Sequence, residues 1–117
     1  MIANQNLDQF AQFNNLLDLF FARADELGDA PFLWAKRGGA WTPISWSEAA
    51  GQVAELAHAL KDMGLARGDR VMLVSENRPE WCIADLAIMA AGCITVPTYT
   101  TNTERDHQHI LDNSGAR

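Results

Sequence analysis

From Asn15 onward the hydrophobic residues of this chain fall into periods that name elements. Leu16, Phe20, Ala24 and Leu27 recur at helical spacing with Asp18, Arg23, Asp25 and Glu26 opposite, and Gly28 stands where a helix-ending glycine belongs, which predicts an amphipathic helix over 14–27. Residues 1–13 carry no clear period and read as a polar arm with no assigned order. Two aromatic-rich runs, 31–37 and 40–44, flank Gly38-Gly39; both glycines can take the positive φ of a tight turn, so the stretch predicts a β-hairpin. Pro43 cannot donate to a ladder and puts the second arm at a sheet edge or near its end.

Ser45-Trp46-Ser47-Glu48 has the spacing of a capping box, in which the serine accepts from the amide of Glu48 while Glu48 reaches back. Trp46, Ala49, Val53, Leu56, Leu60 and Met63 follow on one face, with Glu55, Lys61 and Asp62 on the other, before Gly64 ends the helix. Val71 to Val74 is a continuous apolar run, the pattern of a parallel strand covered on both faces. Asn77 and Pro79 open the next helix, with proline suited to its first turn. From Trp81 to Ala91 only Asp85 is charged, which predicts burial nearly all round. Gly92 closes that helix and Ile94-Thr95-Val96 forms a strand stopped by Pro97. Residues 70–97 are therefore a β-α-β unit, expected to cross over right-handed. A last helix runs from Thr103 to near Gly115 with Ile110 and Leu111 inside, and the alternation asks for a further parallel strand after Arg117.

Composition narrows the function classes. With 48% hydrophobic and 21% charged residues the chain is an ordinary packed polypeptide, α/β in class. A net charge of −6, with no run of Lys and Arg, argues against nucleic acid and against a polybasic membrane patch. The apolar stretch from Leu86 to Val96 falls short of the ~20 residues a membrane span requires. No signal-peptide pattern opens the chain, so it reads as cytoplasmic, without a transmembrane segment. Cys82 and Cys93, taken as lying on one helix, would stand roughly 16 Å apart, too far for a disulfide, and read as two buried free thiols.

Candidate chemistry is sparse. The eight glycines spell no phosphate loop. His107 and His109 point about 200° apart on a helix and do not share a metal; His58 has no acidic or thiol partner nearby in sequence. Arg67-Gly68-Asp69, an adhesion tripeptide by spelling, reads as a turn between a helix end and a strand. Ser75-Glu76-Asn77-Arg78 and Thr98-Tyr99-Thr100-Thr101 both follow parallel strands, at the edge where α/β folds place ligands. Each has a plainer reading: a solvated loop with an Asn77 helix cap, and a strand terminus that caps a helix.

Gly68-Asp69-Arg70-Val71-Met72-Leu73-Val74-Ser75-Glu76-Asn77-Arg78-Pro79-Glu80-Trp81 resembles the ATP-dependent acyl-CoA synthetases of the adenylate-forming (AMP-binding) superfamily. Trp41 to Trp46 is similar to that family's hairpin arm, Ala54 to Gly68 to its lead-in, Ala84 to Tyr99 to its buried helix and next strand, and His109 to Ala116 to the closing stretch. The Ser-Glu-Asn-Arg-Pro-Glu-Trp and Val-Pro-Thr-Tyr wording resembles the long-chain fatty acid branch.

The resemblance implies an incomplete N-terminal lobe of an AMP-binding domain over 1–117. The full-length ligase would join a fatty acid to ATP's α-phosphate and pass the acyl group to CoA, with Mg²⁺ neutralising phosphate charge. It also implies that the catalytic parts lie in later segments: a Ser/Thr/Gly-rich loop ending in Lys, an aromatic-Thr-Glu segment, a ribose-binding Asp and a Lys on a mobile domain. None of these occurs in the 117 residues. No catalytic, cofactor-binding or metal residue is therefore assigned, no cofactor is expected on this chain alone, and the chain alone is expected to be inactive. Its implied partners are the remainder of the ligase and a second copy, as homodimer or strand-exchanged oligomer. Two alternatives stay open: a non-enzymatic dimerisation or interaction module, and a ligase for an aryl or short-chain carboxylate.

Overall fold

The computed structural model describes residues 10–117, in the order α1 (Leu16–Leu27), β1 (Pro31–Arg37), β2 (Ala40–Ser45), α2 (Trp46–Asp62), β3 (Arg70–Val74), α3 (Pro79–Ala90), β4 (Ile94–Thr98) and α4 (Glu104–Ser114). The polar arm proposed for 1–13 lies outside the described residues up to Gln9. α1 starts two residues later than its periodicity suggests, because Asn15 is its cap: the Asn15 Oδ1 accepts from the Asp18 amide at 2.8 Å. Phe20 and Ala24 reach the core, while Leu16 and Leu27 at the ends of the same stripe stay exposed.

The hairpin forms as expected. Gly38 and Gly39 have φ of 57° and 80°, and β1 and β2 pair antiparallel with Trp34 opposite Pro43. The sheet has two strands, so Pro43 is on an edge strand in any case. A register shift between Pro31 and Leu33 lets Phe32 turn inward. There its ring meets Trp46 with centroids 4.0 Å apart, and Phe20 lies within 6.0 Å of both.

Both halves of the Ser45–Glu48 capping box are present at 3.1 Å. The buried face of α2 is Ala49, Val53 and Ala57, with Leu56 and Leu60 packed at its margin. Met63 leaves the stripe: it is the residue after the last helical turn and is 78% exposed. α2 packs on α3, whose Ile83 and Ala87 are buried in the same cluster together with Ala91 at its C-terminal cap. Small side chains on both helices let the backbones come close.

β3 and β4 pair in parallel from Arg70–Ile94 to Val74–Thr98, completing the β-α-β unit. Three expectations are corrected here. β3 is half-buried rather than covered on both faces: Val71 to Leu73 are only partly buried and Arg70 and Val74 are exposed, with α3 packed on the unit and β4 as the one strand that pairs with it in a ladder among the described residues. Asn77 does not cap α3: Arg78 does, in extended geometry (φ −149°, ψ 162°) and without a side-chain bond, because the residue before a proline is driven out of the helical region and Pro79 takes the first turn. Cys93 lies beyond α3, after the turn at Gly92 (φ 82°), so the two cysteines do not share a helix; both are free, Cys93 buried and Cys82 half-buried. Every residue from Trp81 to Ala91 is at least half-buried, as the apolar run predicts.

Arg67-Gly68-Asp69 is a turn. The Asp69 carboxylate accepts from the Ala66 amide at 2.9 Å, and the Gly68 amide donates to the Gly92 carbonyl at 2.8 Å. That ties the start of β3 to the start of β4. α4 begins with a second capping box, between Thr103 and Asp106, and ends at Gly115 in the left-handed region. Beyond it, the Arg117 amide donates to the Arg70 carbonyl (2.9 Å) and the Met72 amide donates to the Arg117 carbonyl (2.8 Å). Those two bonds follow the parallel ladder pattern, on the edge of β3 that β4 leaves free.

Candidate functional site

The parallel register decides where the candidate residues meet. Val74 pairs with Thr98, so the segments that follow β3 and β4 emerge side by side. Between them is a cleft of about 390 Å³ walled by Ser75, Asn77, Trp81, Thr98, Tyr99 and Asn102. The two stretches singled out in the sequence are thus brought together. Asn102 donates from Nδ2 to the Thr98 hydroxyl at 2.7 Å, which fixes that wall. The Ser75 hydroxyl donates to the neighbouring Glu76 carbonyl at 3.0 Å, and Tyr99 projects into solvent, 78% exposed. Hydroxyl, amide and aromatic groups of this kind can hold a ligand by hydrogen bonds and stacking. They contain no paired nucleophile and base, so bond-making chemistry does not follow from them.

A second cleft, about 680 Å³, opens between the hairpin and the same β3–α3 loop. Asn77 and Trp81 line both clefts. At the rim of the second, Glu80 on the first turn of α3 accepts from Arg37 Nη2 at 2.6 Å with one oxygen and from Arg78 Nε at 2.8 Å with the other. Those two donors, Arg78 foremost and then Arg37, hold the Glu80 carboxyl down at about 2, well below the ordinary carboxylate range. Glu80 in turn raises Arg78. Spacing along the chain gives no sign of the Arg37–Glu80 pair, since the two residues are 43 apart. Trp81 as a shared wall is equally hidden, because a tryptophan at helical spacing reads as core.

The remaining candidates do not assemble. His107 is half-buried, with a buried Nδ1 that has no hydrogen-bond partner among the described residues, whereas His109 and His58 are exposed. No three His, Cys, Asp or Glu side chains among the described residues come together as a metal site. Burial, with Asp85 nearby, pushes the Cys82 thiol up, away from the thiolate. Asp106 is held below its usual range by the Thr103 amide it accepts from, which is the capping-box bond. None of the described helices is long and apolar enough to cross a membrane.

Comparison with known proteins adds a lineage to this geometry. The profile of the family described as AMP-binding enzyme matches residues 20–117. The chain is 42% identical over 78 residues to the long-chain-fatty-acid–CoA ligase FadD15 of Mycobacterium tuberculosis, covering 67% of this chain and 13% of the relative. It is 32% identical to the human mitochondrial acyl-coenzyme A synthetase ACSM5, covering 99% of this chain and 21% of that protein. Among solved structures it superposes on the N-terminal subdomain of Klebsiella oxytoca NpsA in complex with 3-hydroxyanthranilyl-AMSN, with a TM-score of 0.80 and 29% identity over 90% of this chain and 26% of the other. It also superposes on the fatty acid AMP ligase from Legionella pneumophila, with a TM-score of 0.83 at 24% identity over 92% and 19% of the two chains; this match shows the fold alone. The chain spans 13% and 21% of the lengths of the two curated relatives.

Proposed function

Because this chain belongs to the AMP-binding enzyme family, we propose that it forms the first lobe of an acyl-CoA ligase. That ligase activates a long-chain fatty acid with ATP to an acyl-adenylate and transfers the acyl group to CoA. The observation that carries the substrate class is the 42% identity to a long-chain-fatty-acid–CoA ligase. The lobe spans residues 1–117 in this reading, and the remainder of the ligase is its principal partner.

The residues described here do not fit ATP, Mg²⁺ or CoA on their own. No acidic or histidine cluster is present to hold a cation among them, and seven of the glycines sit singly or as one pair at positive-φ turns rather than forming a phosphate cradle. No step of the reaction is therefore assigned to a side chain of this lobe. Its contribution is the wall of residues at the carboxyl ends of β3 and β4, a ligand edge that other segments of the ligase complete.

A second reading, an aryl carboxylate as the acid, has one observation in its favour: the NpsA subdomain, 29% identical, is described in complex with an aryl ligand, 3-hydroxyanthranilyl-AMSN. One experiment separates the two. ATP–pyrophosphate exchange by the full-length ligase, run with hexadecanoate, butyrate and benzoate in parallel, is expected to be fastest with hexadecanoate. Exchange driven best by benzoate moves the substrate to the aryl class, and no exchange with any acid overturns the ligase reading. The 117-residue chain alone is expected to give background exchange only.

A further inference from the structure

Glu80 joins parts of the chain that nothing else described joins by a side-chain hydrogen bond. One carboxylate oxygen takes Arg37 from the end of β1, and the other takes Arg78 from the loop that follows β3. The loop from Ser75 to Arg78 belongs to no ladder and has few other anchors. Its side-chain bonds are the Ser75 hydroxyl to the adjacent carbonyl and the Arg78 bond to Glu80, and Asn77 makes none. Yet this loop, with Trp81 behind it, separates the 390 Å³ cleft from the 680 Å³ cleft.

We propose that the Arg37–Glu80–Arg78 bridge is the fastening that holds this loop as a partition between the two clefts, and that Arg37 and Glu80 are positioning residues for the ligand edge. A carboxylate on the first turn of α3 lies where the helix dipole favours negative charge, so Glu80 is well placed to gather two cations. Arg78 alone fastens nothing, because it stands two residues from Glu80 on the same segment. The link to the hairpin runs through Arg37. When that link is cut, the hairpin tip and the loop move independently and the partition opens. Calling the partition part of a ligand edge rests on the ligase reading; the fastening itself is tested without reference to activity.

Hydrogen exchange read by mass spectrometry on peptides covering 75–81 and 33–42 tests it. Arg37→Ala is expected to speed exchange in both peptides about two- to fivefold, the range set by an exposed ion pair, with peptides from α2 unchanged. Arg37→Lys is expected to restore most of the protection, since Arg37 offers Glu80 a single nitrogen and an ammonium can replace it. In the native protein 1 M salt is expected to mimic Arg37→Ala, and in the variant to add nothing. Glu80→Gln supplies the same readout should Arg37→Ala fold poorly. Native exchange rates at 75–81 in both variants overturn the proposal, and so does an equal increase across all peptides, which is global loosening rather than release of a partition. A failed ligase assay leaves this result standing, because no step of the exchange measurement depends on substrate.

Discussion

Val53, on the buried face of α2, has no exposed surface and belongs to the core cluster that α2 shares with α3, so removing its methyl groups leaves a cavity there. Val53→Ala is expected to cost about 1–3 kcal/mol, read as a lower urea midpoint at an unchanged slope. Gly115 presents the opposite case. Its φ of 69° suits glycine, and a Cβ there would run into the Arg70 guanidinium, whose Nε donates to the Ser114 carbonyl at 2.7 Å. Gly115→Ala therefore meets backbone strain and a displaced arginine together, for an expected loss of about 1–2 kcal/mol. Exchange of the Met72 amide, bonded to Arg117 next door, is expected to quicken in that variant. If Met72 stays as protected as in the native chain, the α4 end is not what seats Arg117 on β3.

Elements were legible where their signals are local. The Ser45–Glu48 box, the paired glycines at 38 and 39 and the apolar run into α3 each act within a few residues, and each folds as its spacing says. Ser45→Ala is expected to destabilise by about 1 kcal/mol through loss of the Glu48 amide's acceptor, measured by thermal unfolding. Local reading fails where a neighbour overrules it. Pro79 shifts the cap from Asn77 to Arg78, whereas placing both cysteines on one helix conflicts with the helix-ending Gly92 that local spacing already marks. It also fails where the partner is distant. The two loops of the candidate cleft were readable as strand ends, but Trp81 as a wall of that cleft and Arg37 as the partner of Glu80 depend on how α3 and the hairpin pack. That bridge has a pH signature. Glu80's carboxyl is lowered to about 2 in the fold, so its stabilisation is complete above the ordinary carboxylate value and fades as pH falls toward 2. The stability difference between the native protein and Glu80→Gln is expected to narrow steadily from pH 5 to pH 3. A constant difference over that range means the glutamine acts through something other than charge.

At the scale of the whole molecule the core is helical, and that asymmetry is the strongest structural statement about what the chain needs. Phe20, Val53, Ile83, Leu86 and Ile88 come from α1, α2 and α3, while none of the residues in β1 to β4 is fully buried. Strands of an α/β fold ordinarily form its most enclosed layer. Here they are partly buried at most, and Trp34, Trp41 and Ile94 are each more than half exposed. Apolar side chains and open strand edges of this kind are covered either by other segments of a longer ligase or by another copy of the same surface. The 117 residues alone have only the second route, so they are expected to self-associate, with light scattering at micromolar concentration giving a mass above that of one chain. Within the full ligase the first route operates: the tryptophan emission of the hairpin is expected to shift to the blue relative to the isolated chain, and the drive to self-associate through these faces is expected to weaken. A monomer from the isolated chain, with Trp34 and Trp41 freely quenched by acrylamide, refutes the self-association. It also means that the helical core suffices and that the hairpin face tolerates water.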